Sequence, residues 1–103
     1  MAERIGQKQF EEKVLKRDGR VLLEFYSDSC AACKRMAPLL AQLEDDYTGL
    51  YIGKVHAGFE QELAQRYQVT SVPTLILLEN GQELKRLTGA AGRQKLDDLL
   101  REP

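Results

Sequence analysis

Val21-Leu22-Leu23-Glu24-Phe25-Tyr26-Ser27-Asp28-Ser29-Cys30-Ala31-Ala32-Cys33 reads as a buried strand, a turn and the start of a helix in one short stretch. From Val21 to Tyr26 the chain is apolar at odd and even positions alike, Glu24 excepted. That pattern belongs to a strand covered on both faces of its sheet. Ser27-Asp28-Ser29 breaks the strand and offers side-chain oxygens that cap a helix. Cys33, Met36, Leu40, Leu43 and Tyr47 then recur at spacings of three and four, the buried stripe of a helix beginning near Cys30. Pro38 falls inside this pattern and should kink the helix, because it removes a backbone hydrogen bond.

The remaining segments arrange themselves around this core. Phe10, Val14 and Leu15 mark an amphipathic helix from about Gln7 to Arg17, ended by Asp18-Gly19. Leu50 to Val55 has strand character, and Phe59, Leu63 and Tyr67 give one face of a short helix. Val72-Pro73 precedes Thr74-Leu75-Ile76-Leu77-Leu78, a buried strand. Asn80-Gly81 is a two-residue hairpin signal, so Gln82 to Thr88 should return antiparallel. Glu83, Lys85 and Arg86 on that return suit a protected edge. After Gly89 and Gly92, Leu96, Leu99 and Leu100 describe a closing helix. This order predicts an α/β fold with a central mixed β-sheet flanked by helices on both faces.

A chain of 103 residues suits a single domain over 1–103. The net charge of −1, from 15 basic and 16 acidic residues, gives no global field to recruit nucleic acid or an anionic membrane. Met1 to Gln7 has no apolar stretch suited to a signal peptide, and no run approaches the roughly 18–20 apolar residues that cross a bilayer. The expectation is a cytoplasmic protein, monomeric, with no nucleic-acid or membrane partner.

The two cysteines sit three positions apart. A structural disulfide stabilises by closing a long loop, and this one closes almost nothing. A reducing cytosol also disfavours structural disulfides. A Cys-x-x-Cys where a buried strand turns into a helix, in a small α/β chain, reads instead as a redox motif. Cys30 stands at the helix N-terminus, where unpaired N–H groups and the helix dipole stabilise a thiolate, the reacting species. Cys33, one turn further on and more buried, is placed to attack Cys30 and resolve a mixed disulfide.

The chain resembles the thioredoxin family over nearly its whole length. The resemblance rests on Phe25 to Lys34 with Cys30-Ala31-Ala32-Cys33 at its centre, Pro38, Val72-Pro73-Thr74, Asn80-Gly81 and Gly89. It implies a thioredoxin fold and reduction of protein disulfides through a reversible Cys30–Cys33 disulfide. It also implies disulfide-containing protein substrates and recharging by a thioredoxin-reductase-type flavoenzyme, with no cofactor or metal in the chain itself. It puts Glu24, an odd residue beside Leu22 and Tyr26, beneath the cysteines as the base for the resolving thiol, its pKa raised by burial. Lys54 matches a lysine that tunes that acid. A cis bond before Pro73 would set Val72 and Pro73 against the Cys30 sulfur, where Val72 backbone groups pair with an extended substrate. Ser29, Ala31, Ala32 and Gly89 complete the substrate-contacting set.

The chain departs from the family at three places. Ala31-Ala32 replaces the usual Gly-Pro, Ser29 the usual Trp, and Glu24 the usual Asp. Ala32 regains an N–H that proline lacks, which is expected to point at the Cys30 sulfur and make the pair less reducing. These differences suggest a specialised member. His56, the single histidine, is read as a surface residue at a strand end. Two other function classes remain open: a non-catalytic interaction module on the same fold, and a dimer in which two Cys-x-x-Cys pairs supply the four ligands of a zinc site.

Overall fold

The computed structural model describes residues 2–101. Its elements are β1 (Glu3–Arg4), α1 (Gln7–Phe10), β2 (Arg20–Tyr26), α2 (Ala31–Asp46), β3 (Tyr51–His56), α3 (Gln61–Arg66), β4 (Thr74–Glu79), β5 (Gln82–Thr88) and α4 (Arg93–Leu100). The five strands form one sheet in the order β1-β3-β2-β4-β5. β1 and β2 run parallel to β3, whereas β4 runs antiparallel to both β2 and β5. The sheet is therefore mixed, as expected.

Helices cover both faces because the strands alternate between two apolar clusters. Val21, Leu23, Phe25, Val55, Ile76 and Leu78 pack with Phe10 and Val14 from the first helix and with Leu63 and Ala64 from α3. Leu22, Ile52, Leu75 and Leu77 pack with Met36, Leu40 and Leu43 of α2 and Leu96, Leu99 and Leu100 of α4. Side chains of period two on the strands and of three-to-four on the helices make these clusters inevitable. Asn80 and Gly81 take positive φ of 52° and 82°, the backbone that a tight hairpin with right-handed twist requires. A Cβ on Gly81 would lie 3.3 Å from the Leu15 carbonyl oxygen, so the hairpin tip is closed against the end of the first helix.

Several expectations change. The first helix passes from α1 into a wider π-type turn over Glu11–Leu15, closed by Lys16 N–H to Glu11 O at 2.8 Å, and stops short of Arg17. β1 had no sequence signal, because two residues are too few to show alternation. Phe59 is not on the buried face of α3: it precedes the helix and is 69% exposed. His56 is not a surface residue: it is 6% exposed. Tyr47 ends the stripe half-buried, donating its hydroxyl to Asp97 at 2.7 Å. Pro38 lies inside α2, where it leaves the Lys34 carbonyl without its usual helical donor. Among the described residues, no helix is long and apolar enough to cross a membrane.

Gly53 shows how β1 is held. Ile5, which follows β1, is 1% exposed and lies over Gly53, so a Cβ there would overlap Ile5 Cδ1. Gly53→Ala should cost about 1–3 kcal/mol, the usual range for overpacking. In an Ile5→Ala background the cost should shrink, because the obstructing side chain is gone. Urea midpoints of the four proteins check this; equal costs in both backgrounds would refute the close approach.

Candidate active site

β2 ends at Tyr26, and the Ser27-Asp28-Ser29 segment carries the chain to Cys30, the residue that caps α2. The cap is the cysteine sulfur itself: Cys30 Sγ accepts the Cys33 N–H at 3.0 Å. This donor is one residue beyond the expected Ala32 N–H, which makes no hydrogen bond to the sulfur here. Cys30 and Cys33 are joined as a disulfide, with Cα atoms 5.2 Å apart. Cys30 is half-buried and Cys33 is 6% exposed, so the two sulfurs differ in access. Ser29 and Ala31 are exposed beside them, and Ala32 is half-buried at a shallow cleft of about 340 Å³ that Met36, Leu39 and Ala90 to Gly92 also line.

Beneath this turn, Glu24 is 2% exposed, on the strand face shared with Leu22. Its Oε2 is buried without a hydrogen-bond partner. Desolvation pushes its pKa from 4.5 up to about 7, and the positive charge of Lys54 works in the opposite direction. Lys54 is the register partner of Glu24 across β2 and β3, and its Nζ lies 4.6 Å from the centroid of the Tyr26 ring. Glu24, Lys54, Tyr26, Asp28 and Cys33 all line one cavity of about 270 Å³. The carboxylate and the inner sulfur thus open onto the same space.

The Val72–Pro73 peptide is cis. Pro73 is buried and its carbonyl accepts the Gly89 N–H at 2.8 Å. Gly89 has a φ of +96°, a backbone that favours glycine. Because Phe25 pairs with Thr74, the Val72–Pro73 segment lies at the same end of the sheet as Ser27 to Cys30. The residues singled out from sequence therefore gather at one end of the sheet. Sequence reasoning missed Asp28 and His56, whose side chains meet there at 3.2 Å. Among the described residues, no three His, Cys, Asp or Glu side chains converge as a metal site.

A Cys-x-x-Cys disulfide at a strand-to-helix turn of this mixed sheet defines a thiol–disulfide oxidoreductase. The thioredoxin family model matches residues 2–102. The chain is 36% identical over 84 residues to the thioredoxin of Chlamydia caviae, covering 82% of each chain. It is 38% identical over 88 residues to the thioredoxin of Mycobacterium tuberculosis, covering 84% of this chain and 76% of that one. It is also 36% identical over 84 residues to a Mycobacterium leprae protein named bifunctional thioredoxin reductase/thioredoxin, covering 81% of this chain and 18% of that one. The chain belongs to the thioredoxin family, and its activity is that of a protein-disulfide reductase.

Burial of Glu24 has a consequence for stability. The folded chain holds the Glu24 proton up to about pH 7, whereas the unfolded chain releases it near pH 4.5. Stability from this group is therefore present below the unfolded value and is lost as pH rises through that window. The loss is roughly 3 kcal/mol at about 1.4 kcal/mol per pH unit. Glu24→Gln, which cannot ionise, should match the wild type near pH 4 and exceed it in stability at pH 8. Urea denaturation of the oxidised proteins at both pH values measures the difference; a gap that does not grow with pH would contradict it.

Proposed function

We propose that Cys30 is the nucleophile and Cys33 the resolving thiol of a reductase for disulfide-containing proteins. The observation that carries this reading is the Cys33 N–H donated to the Cys30 sulfur at the head of α2, with Cys33 itself buried. A hydrogen bond and the positive end of the helix both favour a thiolate on Cys30. That thiolate attacks one sulfur of the substrate disulfide, forms a mixed disulfide and expels the first substrate thiolate. Glu24 takes the Cys33 proton across the cavity they share. The Cys33 sulfur then attacks Cys30, closes the disulfide and expels the second thiolate. Two electrons have passed to the substrate, and a donor must return them.

Lys54 acts on Glu24 through charge and keeps it from being too weak an acid. Val72, Pro73 and Gly89 form the rim opposite the sulfurs, where an extended substrate segment pairs with the Val72 backbone, beside Ser29, Ala31 and Ala32. The donor in this reading is a thioredoxin-reductase-type flavoenzyme; the name of the Mycobacterium leprae relative couples those two activities. We place the working protein, a monomer with one domain over 1–103, in the cytoplasm, where a reducing environment keeps such a dithiol charged.

Reduced Cys33→Ser should accumulate mixed disulfides on Cys30, and Cys30→Ser should accumulate none; mass spectrometry of trapped adducts distinguishes them. Adducts that survive loss of Cys30 would reverse the assignment. Wild type should reduce insulin in the presence of dithiothreitol, and a folded protein with no turnover above background would favour the non-catalytic module. Glu24→Gln should slow resolution near neutral pH about 100-fold, the modest end of general-base effects, while leaving Cys30 alkylation largely intact. Equal resolution rates across the pH range would remove Glu24 from the mechanism.

A further inference from the structure

The turn between β3 and α3 encloses His56 in a way that the thiol chemistry does not explain. The imidazole lies flat against Phe59, with centroids 4.0 Å apart and planes at 16°, and meets the Tyr26 ring edge-on at 5.2 Å. Its Nδ1 accepts the backbone N–H of Gly58 at 3.1 Å and of Phe59 at 3.2 Å. An atom that accepts two N–H groups carries no proton, so this network assigns the ring proton to Nε2. Gly58 permits the tight turn: a Cβ there would stand 3.1 Å from His56 Cε1.

Nε2 is buried and has no aligned hydrogen-bond acceptor in the structure. Asp28 Oδ2 lies 3.2 Å away, close enough to pair but not aligned for a hydrogen bond. The Asp28 side chain is 79% exposed and so is free to rotate onto the N–H. A buried donor without an acceptor is costly, and a carboxylate is the strongest acceptor available to it. Asp28 belongs to the segment that leads from β2 to Cys30. The Tyr26–His56 register pair ends the β2–β3 ladder at that point, and Ala57 N–H donates to Tyr26 O at 2.8 Å.

We propose that His56 is a positioning residue for the reductase: its Nε2–H holds Asp28, and with it the segment that presents the Cys30 sulfur, against the β3–α3 turn. The proposal rests on Cys30 being the nucleophile. Misorienting a nucleophile lowers its turnover more than it weakens substrate binding.

The test compares wild type, Asp28→Ala, Asp28→Asn, His56→Gln, His56→Ala and the double alanine variant by kcat and KM for insulin reduction, with urea midpoints as a fold control. Asp28→Ala alters an exposed side chain and should lower kcat about three- to tenfold with KM little changed. Asp28→Asn keeps an acceptor oxygen without the charge, and His56→Gln keeps both an acceptor and a donor; both should retain most of the activity. His56→Ala should add nothing to kcat once Asp28 is alanine. Nitrogen NMR of the reduced wild type should show a bare Nδ1 and a protected Nε2–H, with the protection lost in Asp28→Ala. A proton on Nδ1, an unchanged kcat in Asp28→Ala, or independent effects of the two alanine substitutions would overturn the proposal. The NMR measurement needs no turnover. An inactive wild type with the protected Nε2–H therefore defeats the proposed function while supporting the His56–Asp28 pairing.

Discussion

Because β2 lies between β3 and β4 at the middle of the sheet, the side chains from Val21 to Phe25 are buried on one face or the other. Val21, Leu23 and Phe25 go one way, Leu22 and Glu24 the other, and neither set has solvent as an alternative. The end of such a strand is held in place, so the segment that follows it starts from a rigid point. That rigidity decides where α2 begins and hence where the Cys30 sulfur meets the helix N-terminus. The same alternation sets Glu24 on the face covered by α2, the helix that carries Cys33. Core formation and placement of the acid are one constraint.

The site then contrasts two ways of burying a polar side chain. Glu24 is enclosed with Oε2 unpartnered, and the nearby Lys54 charge only partly offsets its desolvation. An apolar side chain of similar size would leave a more stable fold, and the base role proposed for Glu24 would account for a carboxyl group kept there. His56 is enclosed with Nδ1 doubly satisfied, Phe59 stacked on its ring and Tyr26 set edge-to-face against it. One buried group is left electrostatically unsettled near neutral pH; the other is fixed in one tautomer and serves as an anchor.

The parts of this arrangement legible in sequence are those specified by near neighbours in the chain. The Cys-x-x-Cys spacing fixes one helical turn, Asn80-Gly81 fixes a hairpin, and the apolar run of β2 reports burial on both faces. What escaped notice depends on contacts between distant segments. β1 is defined by its partner Gly53, and nothing in Glu3-Arg4 alone signals a strand. Phe59 fits the spacing of a helical face with Leu63 and Tyr67, yet it is taken by the His56 ring before the helix begins. His56 reads as exposed because a lone polar residue at a strand end normally is; here Tyr26 and Phe59 close around it. The N–H that reaches the Cys30 sulfur comes from Cys33, the third residue of the helix, rather than Ala32, the second; a capping side chain can take either, and sequence does not choose between them.

The closed hairpin tip has a practical bearing on where this chain can be lengthened. Turns between adjacent strands are ordinarily the places where a tag or a guest domain is accommodated. Here Gly81 abuts the last carbonyl of the wide π-type turn, so added residues would act as a wedge beneath the first helix. The turn between α2 and β3 is different. Thr48 and Gly49 are exposed, and a Cβ on Gly49 would meet nothing within 4 Å. A reporter peptide grafted beside Thr48, with Gly49 kept for its φ of +86°, would project into solvent.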